Sequence, residues 1–341
     1  MGHHFDAYID ALVKEICTCP ELNGADISTI FIGGGTPSVL DLAHIEKIMS
    51  ALSRYKIATD VEITIEANPN SLTKTKLCGY RTLGINRLSI GLQAYQDNLL
   101  NLMGRPHTAS DFLTCIDHAT AAGFSNISAD LIFALPGQSL ADWEESLLAA
   151  VSANTNHISC YGLIIEEGTP FFDTYEPIDD DIDRRMYYMA MELLDLHGFS
   201  QYEISNFAKN GFKSRHNLAY WERKNYIGLG LSAHSLYNNT RFENTADLAS
   251  YIEGRHHRQS IIKLSSKDIM SEFMFLGLRM TEGISISGFF KEFGVNIHEV
   301  YKDVTDKNVA DKLLEINNDM IKLTRIGVDL SNVVLSEFLI D

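Results

Sequence analysis

At 341 residues, 45% of them hydrophobic, the chain is long enough for one large α/β domain with a smaller companion. Lys and Arg number 28 against 45 Asp and Glu, a formal charge of −17, which excludes a nucleic-acid surface as the main business of the chain. No run of about 18 apolar residues occurs, which excludes a helical membrane span, and five scattered cysteines (Cys17, Cys19, Cys78, Cys115, Cys160) without a signal peptide predict reduced thiols in a soluble, cytoplasmic protein.

The chain opens on the helical pattern "MGHHFDAYIDALVKEI", in which His3 and His4 read as chance neighbours rather than ligands. Cys17 and Cys19 read as a pair of helix-end thiols, too few for a metal site by themselves. Next comes "TIFIGGGTPS", Thr29 to Ser38, where a β-branched, apolar stretch meets three glycines. Glycine takes φ > 0 and lets a ligand approach where a Cβ would block it, so Gly33, Gly34 and Gly35 either cradle a small polar ligand or make a tight strand-to-helix turn. The spacing matches neither the dinucleotide fingerprint nor a P-loop.

A second strand is predicted from Val61 to Glu66. From there a unit of helix, glycine and strand recurs in "LGINRLSIG" at Gly84, "AGFSNISAD" at Gly123 and "HGFSQYEIS" at Gly198, with "NTNHISCYGL" between the last two using Asn154 or Asn156 in place of the glycine. Alternating strands and helices predict a parallel sheet with right-handed crossovers, best closed or half-closed into a barrel. Gly33 to Thr36 then end the first of these strands, Glu66 the second, Gln93 follows the third, Asp130 lies in the fourth, and Glu166 and Glu167 end the fifth. In parallel barrels that rim carries the active site. Taken singly, Glu66 could instead cap the turn before Pro69, and Asp130 could be a satisfied buried acid.

Further on, "EPIDDDIDRR" from Glu176 reads as a solvated acidic connection before a helix, and His256 and His257 in "EGRHHRQS" as a solvated loop. After about Asp247 the glycine–strand rhythm stops. A helix from Ser265, a turn at Gly283, a second helix and β-character in "DMIKLTRIGVDLSNVVLSEFLID" predict a small helical module with a short hairpin. The division expected is residues 1–246 for the barrel and its extension and 247–341 for the C-terminal domain.

"FIGGGTPS", "EANP", "RLSIGLQ", "GRPH", "DLIFALPGQ", "HISCYGLIIEEGTP", "YEISNFA", "SRHNLAYW" and "GLGLSAHS" together resemble the radical S-adenosylmethionine family of oxygen-independent coproporphyrinogen III oxidases, and most closely its HemW-type haem-chaperone branch. The resemblance runs from Tyr8 to Phe338. It implies a partial (βα) TIM-like barrel of the radical S-adenosylmethionine type, missing its first strand, with a small C-terminal helical domain. It also implies that Gly34, Gly35, Thr36, Glu66, Gln93, Arg105 and Asp130 contact S-adenosylmethionine, a zwitterion whose ammonium and hydroxyls suit carboxylates and whose carboxylate suits an arginine fork. His216 in "RHNLAYW" matches a histidine implicated in haem binding; without the resemblance it reads as a structural residue bonded to the backbone, and His234 is a poorer candidate.

The family carries a [4Fe–4S] cluster on a CxxxCxxC loop that this sequence does not contain, and none of its five cysteines has the spacing to substitute. The expectation is therefore a haem-handling protein of porphyrin metabolism, with haem or porphyrin and a haem-acceptor protein as partners and no radical chemistry as written. The alternative is an active radical enzyme whose true start lies upstream. An unrelated phosphate-binding barrel enzyme would leave the other eight motifs unexplained.

Overall fold

A computed structural model describes residues 2–169, 171–255 and 258–340; the side chains of residues 2–4, and His256 and His257 altogether, lie outside the described residues, so the readings of His3, His4 and that loop are not addressed by it. The chain divides into two compact units, one of residues 28–45 and 60–213, the other of residues 1–27, 46–59 and 214–341.

The first unit is built on a seven-stranded sheet of β1 (Ile27–Ile32), β2 (Ile57–Ala67), β3 (Arg87–Gln93), β4 (Ile127–Phe133), β5 (His157–Gly162), β6 (Ser200–Glu203) and β7 (Asn206–Ala208), in the order β1-β2-β3-β4-β5-β7-β6. β2 to β5 pair in parallel, and the chain returns between them through helices, as parallel pairing requires. These are α3 (Lys74–Thr82), α4 (Asp97–Leu102), α5 (Ala109–Ala121) and α6 (Leu140–Ser152), with α2 (Leu42–Leu52) before β2 and α7 (Asp180–Leu196) after β5. The predicted handover from helix to strand is realised at Gly84, Gly123 and Gly198, at φ +89°, +89° and +80°, and Asn154 takes the glycine's part at φ 58°. Capping boxes start α5 (Thr108 with Asp111) and α6 (Ser139 with Asp142).

Three expectations are corrected. β5 ends at Gly162, where its partner β4 ends at Phe133, so Glu166 and Glu167 lie in an exposed turn beyond the sheet. The strand after Gly198 is not the next parallel neighbour either. Only Ile204 and Ser205 separate β6 from β7, too few for a crossover, so β7 turns back and inserts antiparallel between β5 and β6. Half of the acidic stretch expected to be loop is the first turn of α7, where Asp180, Asp181 and Asp183 face the positive end of the helix dipole.

The two faces of the sheet differ in chemistry because successive side chains alternate. Ile63, Ile65, Leu88, Ile90, Leu92, Ala129, Leu131 and Ile158 are buried on the helix-covered face. The other face carries Thr64, Glu66, Arg87, Ser89, Gln93, Ser128, Asp130, His157 and Ser159, so the inside of the half-barrel is polar.

The second unit contains α1 (Gly2–Thr18), α8 (Arg215–Trp221), β8 (His234–Tyr237), β9 (Thr240–Glu243), α9 (Leu248–Ile252) and β10 (Gln259–Lys263), the three strands forming an antiparallel sheet in the order β10-β9-β8. α1 is fastened by Glu15, whose carboxylate accepts from Tyr251, Asn244 and the Gly230 N–H at 2.6, 2.6 and 2.9 Å. The β8–β9 hairpin turns through Asn238 and Asn239, both at positive φ, as a two-residue hairpin demands. At the C-terminal end follow α10 (Ser266–Gly277), β11 (Ile284–Ser285), α11 (Ile286–Phe293), α12 (Ile297–Val300), α13 (Lys302–Ala310), β12 (Leu314–Asn317), β13 (Met320–Leu323), α14 (Arg325–Asp329) and α15 (Ser331–Ser336). This segment has its own core, with Met274, Leu278, Phe289, Tyr301, Ile321 and Phe338 buried together. The hairpin expected here pairs β13 with β12, and the apolar sequence after Leu323, read as β, is helical. No helix among the described residues is long and apolar enough to cross a membrane.

Candidate functional site

The triglycine leaves β1 as a loop whose Gly34 and Gly35 stand at φ +83° and +112°, with nothing within 4 Å of where a Cβ would project. Gly33 is glycine for space: a Cβ there would lie 3.0 Å from the Glu66 carboxylate and 2.5 Å from the Phe31 ring. The loop is tied to the end of β2 by the Gly34 N–H, which donates to Glu66 Oε2 at 3.1 Å. Glu66 therefore does not cap the turn before Pro69; Asn68 does, accepting from the Asn70 N–H at 3.0 Å.

Asp130, on the neighbouring row, accepts from three hydroxyls: Ser89 at 2.8 Å to Oδ2, Ser159 at 2.9 Å and Ser128 at 3.2 Å to Oδ1. Burial raises the pKa of Glu66 above the usual carboxylate value, the Gly34 N–H opposing this and Asp130 adding to it; burial raises that of Asp130 too, against its serines and Arg87. Gln93 closes β3 at φ 66°, at an irregularity in the β3–β4 register, with its amide over Gly91, the partner of Asp130. Gly34, Glu66, Gln93 and Asp130 thus share one rim, while Thr36 is exposed just before a short 3-10 turn at Pro37–Val39.

Arg105 is exposed on the loop after α4, and among the described residues its side chain takes no part in these contacts. Its loop is nonetheless fixed by a residue not picked out from sequence, the buried His107. One ring nitrogen lies 3.3 Å from Leu92 O and the other 3.1 Å from Asn68 Nδ2, so Nε2–H donates to the carbonyl and Nδ1 accepts the amide. Asn68 N–H donates in turn to Ser38 Oγ, 3.1 Å away, and Lys76 Nζ donates to Ser38 O at 2.8 Å. Three of the quoted motifs, "FIGGGTPS", "EANP" and "GRPH", are stitched together by these bonds; the signal available in sequence was an asparagine in the short loop after β2 and a histidine in the short loop after α4.

In the second unit, Ser214 caps α8 by accepting from Asn217 N–H, and His216 follows on its first turn. Its Nε2 lies 3.0 Å from the Tyr220 hydroxyl. The two rings meet edge-on at 4.9 Å, and Tyr220 meets Tyr226 edge-on at 4.6 Å. Burial pulls the His216 pKa down to about 4 and pushes that of Tyr220 up to about 12, so His216 is a neutral imidazole at pH 7. Behind this cluster Arg279 stacks over the Trp221 ring at 4.5 Å, and Glu272 takes Arg223 and Arg241, each at 2.7 Å. His234 is exposed, 3.5 Å from Glu243.

A half-barrel of parallel strands with a glycine loop and carboxylates on its rim defines the radical S-adenosylmethionine architecture. The Radical SAM superfamily profile matches residues 11–150, and the HemN C-terminal domain profile matches residues 264–330. The solved coproporphyrinogen III oxidase HemN of Escherichia coli, described as a radical SAM enzyme, superimposes with a TM-score of 0.85 over 99% of this chain and 84% of its own, at 21% identity, which shows the fold alone. The heme chaperone HemW of Bacillus subtilis is 37% identical over 98% of this chain and 91% of its own length, and that of Lactococcus lactis 32% identical over 100% and 91%. The chain belongs to the HemW family.

Proposed function

We propose that the protein handles haem, binding it with His216 and delivering it to an acceptor protein, and that the rim of the half-barrel holds S-adenosylmethionine. The observation that carries the haem reading is near-full-length similarity to heme chaperones, joined to a part-buried, neutral imidazole that meets Tyr220 edge-on, with Tyr226 packed on Tyr220 in turn. A neutral imidazole is the form that ligates iron, and the aromatic rings offer apolar surface to a macrocycle. Ligation through Nε2 would exchange the Tyr220 hydroxyl for the metal.

The rim residues fit a small zwitterion. Gly34 and Gly35 are open to solvent, Gly33 allows close approach, and Glu66 and Asp130 supply acceptors for ammonium and hydroxyl groups; the reading adds Gln93, at the end of β3, and the exposed Thr36 and Arg105 on their loops. S-adenosylmethionine, reductively cleaved at an iron–sulfur cluster, supplies a carbon radical in this superfamily. The described residues do not fit the cluster, because no three His, Cys, Asp or Glu side chains among them converge and the cysteines are dispersed as free thiols. The function proposed for these residues is therefore binding.

Haem titration of wild type and His216→Ala, both checked for fold by circular dichroism, tests the reading. The wild type is expected to give a saturable Soret shift, and the variant to bind at least about tenfold more weakly with a changed band position. Equal affinity and an identical spectrum would make His216 structural.

A further inference from the structure

We infer that Tyr202, His157 and Ser128 form a one-directional hydrogen-bond chain that saturates one oxygen of Asp130 and leaves the other to receive a donor from the bound cofactor, which makes His157 a positioning residue. The inference rests on the cofactor reading above, and the polarity of the chain follows from geometry once Asp130 is ionised.

An ionised carboxylate only accepts, so Ser128, 3.2 Å from Asp130 Oδ1, spends its single hydroxyl proton there. The other neighbour of Ser128 Oγ is His157 Nδ1 at 2.8 Å, and with the hydroxyl proton committed that bond can be made only by an Nδ1–H. A neutral imidazole has one N–H, so Nε2 is the acceptor and the Tyr202 hydroxyl, 2.8 Å away, is its donor. His157 is buried on β5, where the positive charge of Arg87 also acts on it, and both effects favour the neutral ring. Tyr202 is buried on β6 and its own ring stands 5.6 Å from that of His157.

The consequence falls on Asp130. Ser89 lies 2.8 Å from Oδ2 and 3.1 Å from Oδ1, and its single proton goes to the nearer oxygen; Oδ1 then takes Ser128 and Ser159, which fill its two lone-pair directions, whereas Oδ2 takes Ser89 and keeps one direction open. A ligand donor is therefore met by Oδ2, not by both oxygens. Were Asp130 protonated, the whole chain would run backwards: Asp130 would donate to Ser128, Ser128 to Nδ1, and the imidazole proton would sit on Nε2. The tautomer of His157 reports which arrangement holds.

Nitrogen NMR of the full chain labelled at histidine, with the His157 resonance assigned by its loss in His157→Asn, is expected to show the proton on Nδ1; a proton on Nε2 overturns the inference. Calorimetry with S-adenosylmethionine supplies the second arm. His157→Phe should weaken binding about tenfold, while His157→Asn, which keeps a donor near the Nδ1 position, should recover to within about threefold of wild type. If Asp130→Asn weakens binding and a folded His157→Phe does not, His157 positions nothing. If Asp130→Asn binds as wild type, the cofactor reading of the rim fails, and the spectrum alone decides the polarity of the chain.

Discussion

Glu66 shows how a carboxylate proposed for binding is held at some expense to the fold. Its carboxylate sits beside Asp130 with one backbone N–H at 3.1 Å, and burial raises its pKa above the ordinary 4.5. An acid whose folded pKa is raised binds more protons folded than unfolded, so stability falls as pH rises from about 4.5 through the folded value. Glu66→Gln keeps an acceptor for Gly34 and removes the charge. The variant is expected to melt higher than wild type at pH 7.5, with the difference closing as the pH is brought below 4.5; a lower melting temperature at pH 7.5 would show that the charge stabilises the loop. Residues whose role is local were legible in the sequence at this scale: Gly84, Gly123 and Gly198 each read as helix stops and each adopts positive φ. His107 was not, because its partners, Asn68 after β2 and the Leu92 carbonyl near the end of β3, are set by how the loop after α4 lies against two neighbouring strands.

Among the elements, α8, β9 and α10 are joined by one carboxylate. Glu272 on α10 lies buried between Arg223, which follows α8, and Arg241 on β9, and Arg223 Nη1 also donates to Asn239 at 2.9 Å in the β8–β9 turn. Removing the shared acid strands two guanidinium groups, one of them nearly buried, so Glu272→Ala is expected to lower stability by about 3 kcal/mol in a urea titration. A loss below about 1 kcal/mol would mean that water or neighbouring side chains replace the carboxylate. α6 has a more modest lock: Ser139 accepts from Asp142 N–H and Asp142 from Ser139 N–H, and Ser139→Ala should cost about 1 kcal/mol by the same measurement. The caps were present in the sequence as Ser-x-x-Asp and Thr-x-x-Asp, and so was the Asn-Asn of the β8–β9 hairpin, although the strands flanking it were not read; they are four residues each and only partly apolar.

For the whole molecule, the reading as a binding protein makes a compositional prediction. Anaerobic reconstitution of this chain with iron and sulfide should yield no [4Fe–4S] cluster, since its cysteines are dispersed and Cys19, Cys115 and Cys160 are buried. About four irons per chain with a broad charge-transfer band would contradict it. By itself the sequence determined the alternation of strand and helix, the stops between them, the polar residues at strand ends and the family, because each of these is written in neighbours along the chain or in short motifs. Only the tertiary structure decided that β7 inserts between β5 and β6, that Glu166 and Glu167 fall outside the sheet, and that His157 reaches Ser128 beside Asp130. Ser89, Ser128 and Ser159 converge on Asp130 from three strands, and nothing in their sequence spacing announces it. That convergence depends on strand order and register, which are settled by long-range pairing and by which face the helices bury, and a chain read one residue after another contains no measure of either.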